Sequence, residues 1–285
     1  MTPALKSTPK TKFNLIDNLS AALLVEDKEI ARLEDAIFSY RTQHLNEESF
    51  LKSDRQLARI YFYLYTIPLL ESAGLLAKGC FDKAIFWSRV HLLLCLYTRY
   101  TDYIIDRDST GYQTPQILKR AFGYLVEAQD LLKNRGRAWS VNQSAIMVQL
   151  FEYEHEVSGG YVHDFSSLWR RVSPLCVLGE TYLASTIHVT NFKWLYRWFL
   201  SWSLLQSDCD DIFEDLLANR TTPVTILVNE HRAGVHSDIL ASADTINRIK
   251  LFLDKQSRNI VSNISSSCPM WLIIINHMNA IYQEK

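Results

Sequence analysis

Cysteine pairs, glycine, proline and net charge are all in short supply in this chain, and each shortage excludes something. The five cysteines, Cys80, Cys95, Cys176, Cys209 and Cys268, are odd in number and never spaced C-x-x-C. Neither a disulfide framework nor a zinc site is expected, and a reducing cytoplasm fits best. A net charge of −1 offers no dense basic field for nucleic acid. No apolar run reaches the ~18 residues of a membrane span; the nearest, "FKWLYRWFLSWSLL", is broken by Lys193 and Arg197. The opening "MTPALKSTPKTK" lacks the apolar stretch of a secretory signal and reads as a flexible tail over residues 1–12. Zinc-hydrolase H-E-x-x-H, serine-hydrolase G-x-S-x-G and glycine-rich phosphate loops are missing as well.

With only nine glycines and seven prolines in 285 residues, long segments repeat apolar residues at i, i+3, i+4 and i+7. The expected fold class is all-α. The spacing predicts helices near 26–45, 54–78, 82–107, 113–134, 141–157, 165–187, 192–218, 223–232, 239–264 and 269–283. Thr222-Pro223 is an N-cap followed by proline at the first helical position, and the glycines of "SGGY" at Ser158–Tyr161 stop the helix before them. No linker or fixed-period repeat divides the chain, so residues 13–285 are expected to form one large helical bundle around a central cavity.

Two acidic segments interrupt this apolar pattern. In "LYTRYTDYIIDRDSTG" (Leu96–Gly111), Asp102 and Asp106 stand at i and i+4, on one helical face. Stepping back by three or four gives Thr98, Cys95 or Leu94, His91 and Trp87, a face expected to look inward. The second segment, "LLQSDCDDIFEDLLANRTTP" (Leu204–Pro223), holds Asp208, Asp210, Asp211, Glu214 and Asp215. Asp211 and Asp215 repeat the i, i+4 spacing, with Ser207 one turn before and Asn219 one turn after. An acidic run at a helix end is usually a solvated face. Paired carboxylates on a buried-side face instead need a cation, and their hard oxygens suit Mg²⁺. If the two helices run parallel, both acidic segments reach one mouth of the cavity.

These segments resemble motifs of the class I isoprenoid synthases, the helical superfamily of terpene cyclases, trans-prenyltransferases and squalene/phytoene synthases. "DYIID" (Asp102–Asp106) resembles D-D-x-x-D with Tyr103 at the second acid. "DIFEDLLANR" (Asp211–Arg220) resembles the D-x-x-E-D-x-x-x-G-R segment of phytoene-type enzymes, and departs from the N-D-x-x-S-x-x-x-E pattern of many cyclases, with Ala218 where glutamate would stand. "LWRRVSPLCVLGETYL" (Leu168–Leu183) resembles the R-R-x-S/T helix whose arginine senses diphosphate, with Pro174 and Gly179 to break it. The basic G-G-K-x-x-R-P element of chain-elongating enzymes is missing.

The resemblance implies an enzyme that ionises an allylic prenyl diphosphate of fifteen or twenty carbons and turns the carbocation into a terpene. It implies Mg²⁺, three ions with substrate bound and Mn²⁺ as a substitute, held by Asp102, Asp106, Asp208, Asp211 and Asp215. Diphosphate would be bound by Arg170, Arg171, Asn219 and Arg220, with Arg171 and Tyr103 as candidate catalytic residues. Trp87, His91, Phe199, Trp202 and Ser203 are candidate pocket walls, since aromatic faces attract cations. No nucleic acid partner or transmembrane segment is expected, and a homodimer is compatible with the resemblance. Rival readings are head-to-head condensation of two prenyl diphosphates, prenyl transfer to an acceptor, and a non-catalytic helical partner subunit. An E-x-x-H at Glu152 and His155 occurs once, whereas a di-iron bundle needs it twice.

Overall fold

The computed structural model describes residues 19, 28–38, 54–105, 114–133, 200, 208, 212–217, 222, 224–225, 251, 254–255, 258, 262 and 269–283. All regular structure among them is helical, which makes the described fold all-α. The elements are α1 (Lys28–Phe38), α2 (Arg55–Tyr61), a π-helical stretch (Phe62–Thr66), α3 (Ile67–Ser72), α4 (Phe81–Ile105), α5 (Thr114–Lys133), α6 (Ile212–Leu217) and α7 (Pro269–Gln283). None of these helices is long and apolar enough to cross a membrane. The chain divides into two compact units, each assembled from separated stretches: Met1–Asn142, Leu178–Thr190 and Ser266–Lys285 form one, Gln143–Val177 and Asn191–Ser265 the other.

In the first unit α4 is the axis. Every residue from Val90 to Tyr97 is buried, so the helix is covered on all sides rather than along one stripe. Its most extensive packing is against α5, and it also meets α1, α2 and α3. The flanking helices are amphipathic in the ordinary way. α1 buries Ile30, Leu33 and Ile37 at i, i+3 and i+7 and leaves Lys28, Glu29, Arg32 and Asp35 exposed. α5 turns Ile117, Ala121, Tyr124, Ala128 and Leu132 inward.

The segment α2–α3 begins as the 54–78 pattern predicts, with helical residues from Arg55, but its regular structure stops at Ser72 rather than near 78. Gly74 adopts φ +66°, its N–H bonding the Glu71 carbonyl at 2.8 Å while the Leu75 N–H bonds the Leu70 carbonyl at 2.8 Å. That is a Schellman stop, and the apolar contact it favours joins Leu75 to Leu70, both buried. A Cβ at Gly74 would meet nothing within 4 Å, so alanine there would cost only the left-handed backbone penalty, about 1 kcal/mol.

The π-helical stretch has a covalent cause. Pro68 has no N–H to give and its ring collides with the carbonyl four residues back, that of Leu64. The wider turn relieves this collision, as the Ile67 N–H bonds the Phe62 carbonyl, five residues earlier.

The C-terminal helix α7 docks on the same place. Its backbone N–H groups at Met270 and Trp271 donate to the two carboxylate oxygens of Glu71, at 2.8 and 3.1 Å. The fully buried Trp271 donates its indole N–H to the Pro68 carbonyl at 2.9 Å. Proline at the first position of α7 has no N–H to satisfy, and Glu71 neutralises the positive end of the helix.

Candidate functional site

The first acidic motif lies at the end of α4. Asp102 is in the last helical turn, which carries no basic residue. Tyr103, in the same turn, has the Arg99 guanidinium 4.3 Å above its ring and the Tyr100 ring 6.1 Å away, edge to face. One face of Tyr103 therefore already holds a cation. Asp106 lies outside the described residues, as does the side chain of Asp102.

Upstream of Asp102, Trp87, His91, Leu94 and Cys95 of the expected inward face are buried and Thr98 is half-buried, and much of the face is polar. Trp87 is aromatic and packs edge to face on Phe86 at 5.2 Å. Beyond it run Ser88, His91, Cys95 and Thr98, which at 100° per residue share an arc of about 80° with position 102. His91 Nδ1 and Thr66 Oγ1, the latter from the π-helical stretch, are 2.9 Å apart and share a hydrogen bond. The Cys95 sulfur lies 3.7 Å from both His91 nitrogens. The buried hydroxyl oxygens of Ser88 and Thr98 have no hydrogen-bond partner among the described residues. The face is thus a polar strip inside an apolar helix. The sequence pattern identified its direction but not its partner across the core, which the wide turn before Pro68 brings into place.

Burial alone lowers the His91 pKa to about 3 and raises that of the Cys95 thiol, so both groups are neutral at physiological pH. Because the folded pKa of His91 lies below its unfolded value, the unfolded chain binds the extra proton. Stability is therefore full above about pH 6.5 and falls as pH drops from there toward 3. Between pH 6.5 and 5 the loss should be roughly 2 kcal/mol. A His91→Leu variant should lose correspondingly less, read as the difference in urea midpoint between pH 7 and pH 5.

At the same end of α4 a second polar group joins three helices. Asp54, just before α2, is 6% exposed and accepts a hydrogen bond from the Tyr124 phenol of α5. The Arg120 guanidinium, one turn earlier on α5, lies 3.5 Å from the other Asp54 oxygen and donates to the Tyr100 hydroxyl of α4 at 2.9 Å. The rings of Tyr100 and Tyr124 sit 5.7 Å apart. Burial and then the Asp54 charge hold the Tyr100 phenol above its usual range, while burial acting against the Arg120 charge is outweighed by Tyr100 and Asp54. Nothing in the spacing of residues 54, 100, 120 and 124 flagged this cluster in advance.

In the second acidic segment, Asp208 and Asp215 are described, and both are buried, at 2% and 4% exposure. Asp215 lies in α6 beside the exposed Leu217. A solvated acidic run would have left them in water, so for these two residues the surface reading is ruled out. The expected i, i+4 pair of Asp211 and Asp215 has only Asp215 among the described residues. Downstream, Thr222 caps as expected: its hydroxyl accepts the Thr225 N–H at 3.2 Å, and the Thr225 hydroxyl accepts the Thr222 N–H at 2.7 Å. This reciprocal pair is a capping box with threonine in place of the usual glutamate.

Asp211, Arg170, Arg171, Asn219, Arg220, Phe199, Trp202 and Ser203 lie outside the described residues, as do Glu152 and His155. Among the described residues, no three His, Cys, Asp or Glu side chains gather as a metal site. The donor set expected from sequence is made of carboxylates, and hard oxygen donors match Mg²⁺ or Mn²⁺ rather than a softer ion. No protein-family model matches the chain, and neither a curated protein nor a solved structure is detectably similar to it.

Proposed function

We propose that this protein is a Mg²⁺-dependent class I terpene synthase. It would ionise a fifteen- or twenty-carbon allylic prenyl diphosphate and convert the carbocation to a terpene, within a helical bundle surrounding a central cavity. The observation that carries the reading is acid held out of water in an apolar, all-α context. Asp208 and Asp215 are buried, and Asp102 lies in the last turn of a helix that is buried on every side from Val90 to Tyr97. Carboxylates in such places are costly unless a cation or donors compensate them.

Asp102 and Asp106 of the first motif and Asp208, Asp211 and Asp215 of the second would hold the ions. Mg²⁺ supplies positive charge against which the diphosphate can leave with the electron pair of the broken C–O bond. Arg171, with Arg170, Asn219 and Arg220, would bind and orient the same anion through charge-assisted hydrogen bonds. The rings of Tyr103 and Trp87 would offer π-density to the allylic cation, and Phe199 and Trp202 would help to exclude water. His91, neutral and engaged with Thr66, would serve as a wall rather than as a base.

The test is incubation of the full chain with Mg²⁺ and allylic diphosphates of ten, fifteen and twenty carbons, followed by extraction of volatile and lipid products. A hydrocarbon or alcohol derived from one diphosphate is the expected product. A lipid of doubled length would replace the cyclase reading with head-to-head condensation. Absence of both product and diphosphate release would leave the non-catalytic subunit as the better account.

A further inference from the structure

We propose that Asp54 is a positioning residue for the first acidic motif, acting through Tyr124, Arg120 and Tyr100 to fix the last turn of α4. The inference rests on the reading of Asp102 as a Mg²⁺ ligand, and it adds to that reading the part of the protein that holds the ligand in register. Asp54 is distant in sequence from both acidic segments and takes no part in capping its own helix, since its side chain makes no cap hydrogen bond to α2. Its oxygens go instead to Tyr124 and Arg120 on α5.

Arg120 then passes the restraint to α4 through the Tyr100 hydroxyl at 2.9 Å. Tyr100 precedes position 102 by two residues, about 200° around the helix axis. The cluster therefore grips the last turn of α4 on the side away from position 102. It restrains rotation and fraying there without occupying the face that carries the acid.

The composition of the cluster favours positioning over stability. A buried acid paired with an arginine gains little over an apolar trio of the same volume, because desolvation offsets most of the attraction. The Arg120–Asp54 separation of 3.5 Å is long for a strong hydrogen bond. What such groups provide is a fixed geometry, with donors and acceptors in one arrangement across α2, α4 and α5. Metal ligands respond to this kind of support, and loss of an outer hydrogen-bonding partner typically weakens metal binding while leaving the ligands in place.

The experiment compares wild type, Asp54→Asn and Tyr124→Phe in the full chain. Diphosphate release from a fifteen-carbon allylic diphosphate is titrated with Mg²⁺, and thermal melting is recorded alongside. Asparagine keeps an oxygen for Tyr124 and removes the charge facing Arg120, whereas Tyr124→Phe removes only the hydroxyl and stands in if the first variant does not fold. The expected result in each is a rise of about 10-fold or more in the Mg²⁺ concentration for half-maximal rate, with the rate at saturating Mg²⁺ within about threefold of wild type. An unchanged Mg²⁺ requirement overturns the inference, even if melting temperatures fall, because a purely structural role predicts that outcome. If wild type releases no diphosphate at any Mg²⁺ concentration, the ligand reading itself is wrong and this inference falls with it. An active wild type with unshifted variants removes the inference alone.

Discussion

Replacing Asp102 or Asp211 by alanine should cut turnover of an allylic diphosphate by a factor of about 10³ or more, on the scale seen when preorganised charge stabilisation is removed from a transition state. On the proposed reading, departure of the diphosphate separates charge in an apolar surrounding, and each lost carboxylate weakens the hold on the ions that offset it. The expected effect on folding has the opposite sign. Asp102 stands in the last turn of α4, which contains no basic residue and where a negative charge opposes the helix dipole. Alanine is also the better helix former. Asp102→Ala should therefore keep its far-ultraviolet circular dichroism and melt at the wild-type temperature or slightly above it. Inactivity with preserved or raised stability identifies a residue kept for chemistry. Wild-type turnover in both variants would remove the metal assignment.

The second large effect concerns stability. Glu71→Ala should destabilise the first unit by roughly 2–4 kcal/mol, because two buried backbone N–H groups lose their carboxylate acceptor at once. Met270 and Trp271 are 8% and 0% exposed, so water does not readily take the place of Glu71. Glu71→Gln should cost less, since it retains one acceptor oxygen and loses only the charge facing the N-terminus of α7. Amide hydrogen exchange over residues 270–277 is the direct readout. Strong loss of protection in the alanine variant, with partial loss in the glutamine variant, is expected. Wild-type protection in Glu71→Ala would show that packing of Trp271 holds α7 without the carboxylate.

The helices were legible because the apolar period of α1 and α5 matches the faces they bury, and the inward direction of Trp87 and His91 followed from stepping back along α4. The stop at Ser72 was encoded in Gly74, but the apolar pair Leu75 and Leu76 continues the helical pattern past it and hides the signal. The wide turn at Phe62–Thr66 depends on Pro68, yet its consequence, the meeting of Thr66 with His91, is a tertiary contact between residues 25 apart. Glu71 is harder still to read, because its partners lie 199 and 200 residues downstream. Asp54 looks like an ordinary N-cap in "SDRQ", and only the fold shows its carboxylate committed to α5. In the candidate site, sequence spacing pointed to the acids, and Asp106 and Asp211, which complete the two expected pairs, lie outside the described residues. The burial of Asp208 and Asp215 depends on what packs around them, which no local pattern specifies.

The central claim, that acids of the two motifs share divalent ions with a diphosphate, is tested most directly by anomalous diffraction from crystals of the protein grown with Mn²⁺ and inorganic diphosphate. The account predicts anomalous peaks within coordination distance of the carboxylates of both Asp102 and Asp211, bridged by the diphosphate oxygens. Peaks at neither residue, or Asp102 and Asp211 facing bulk solvent with no ion shared between their motifs, would contradict it.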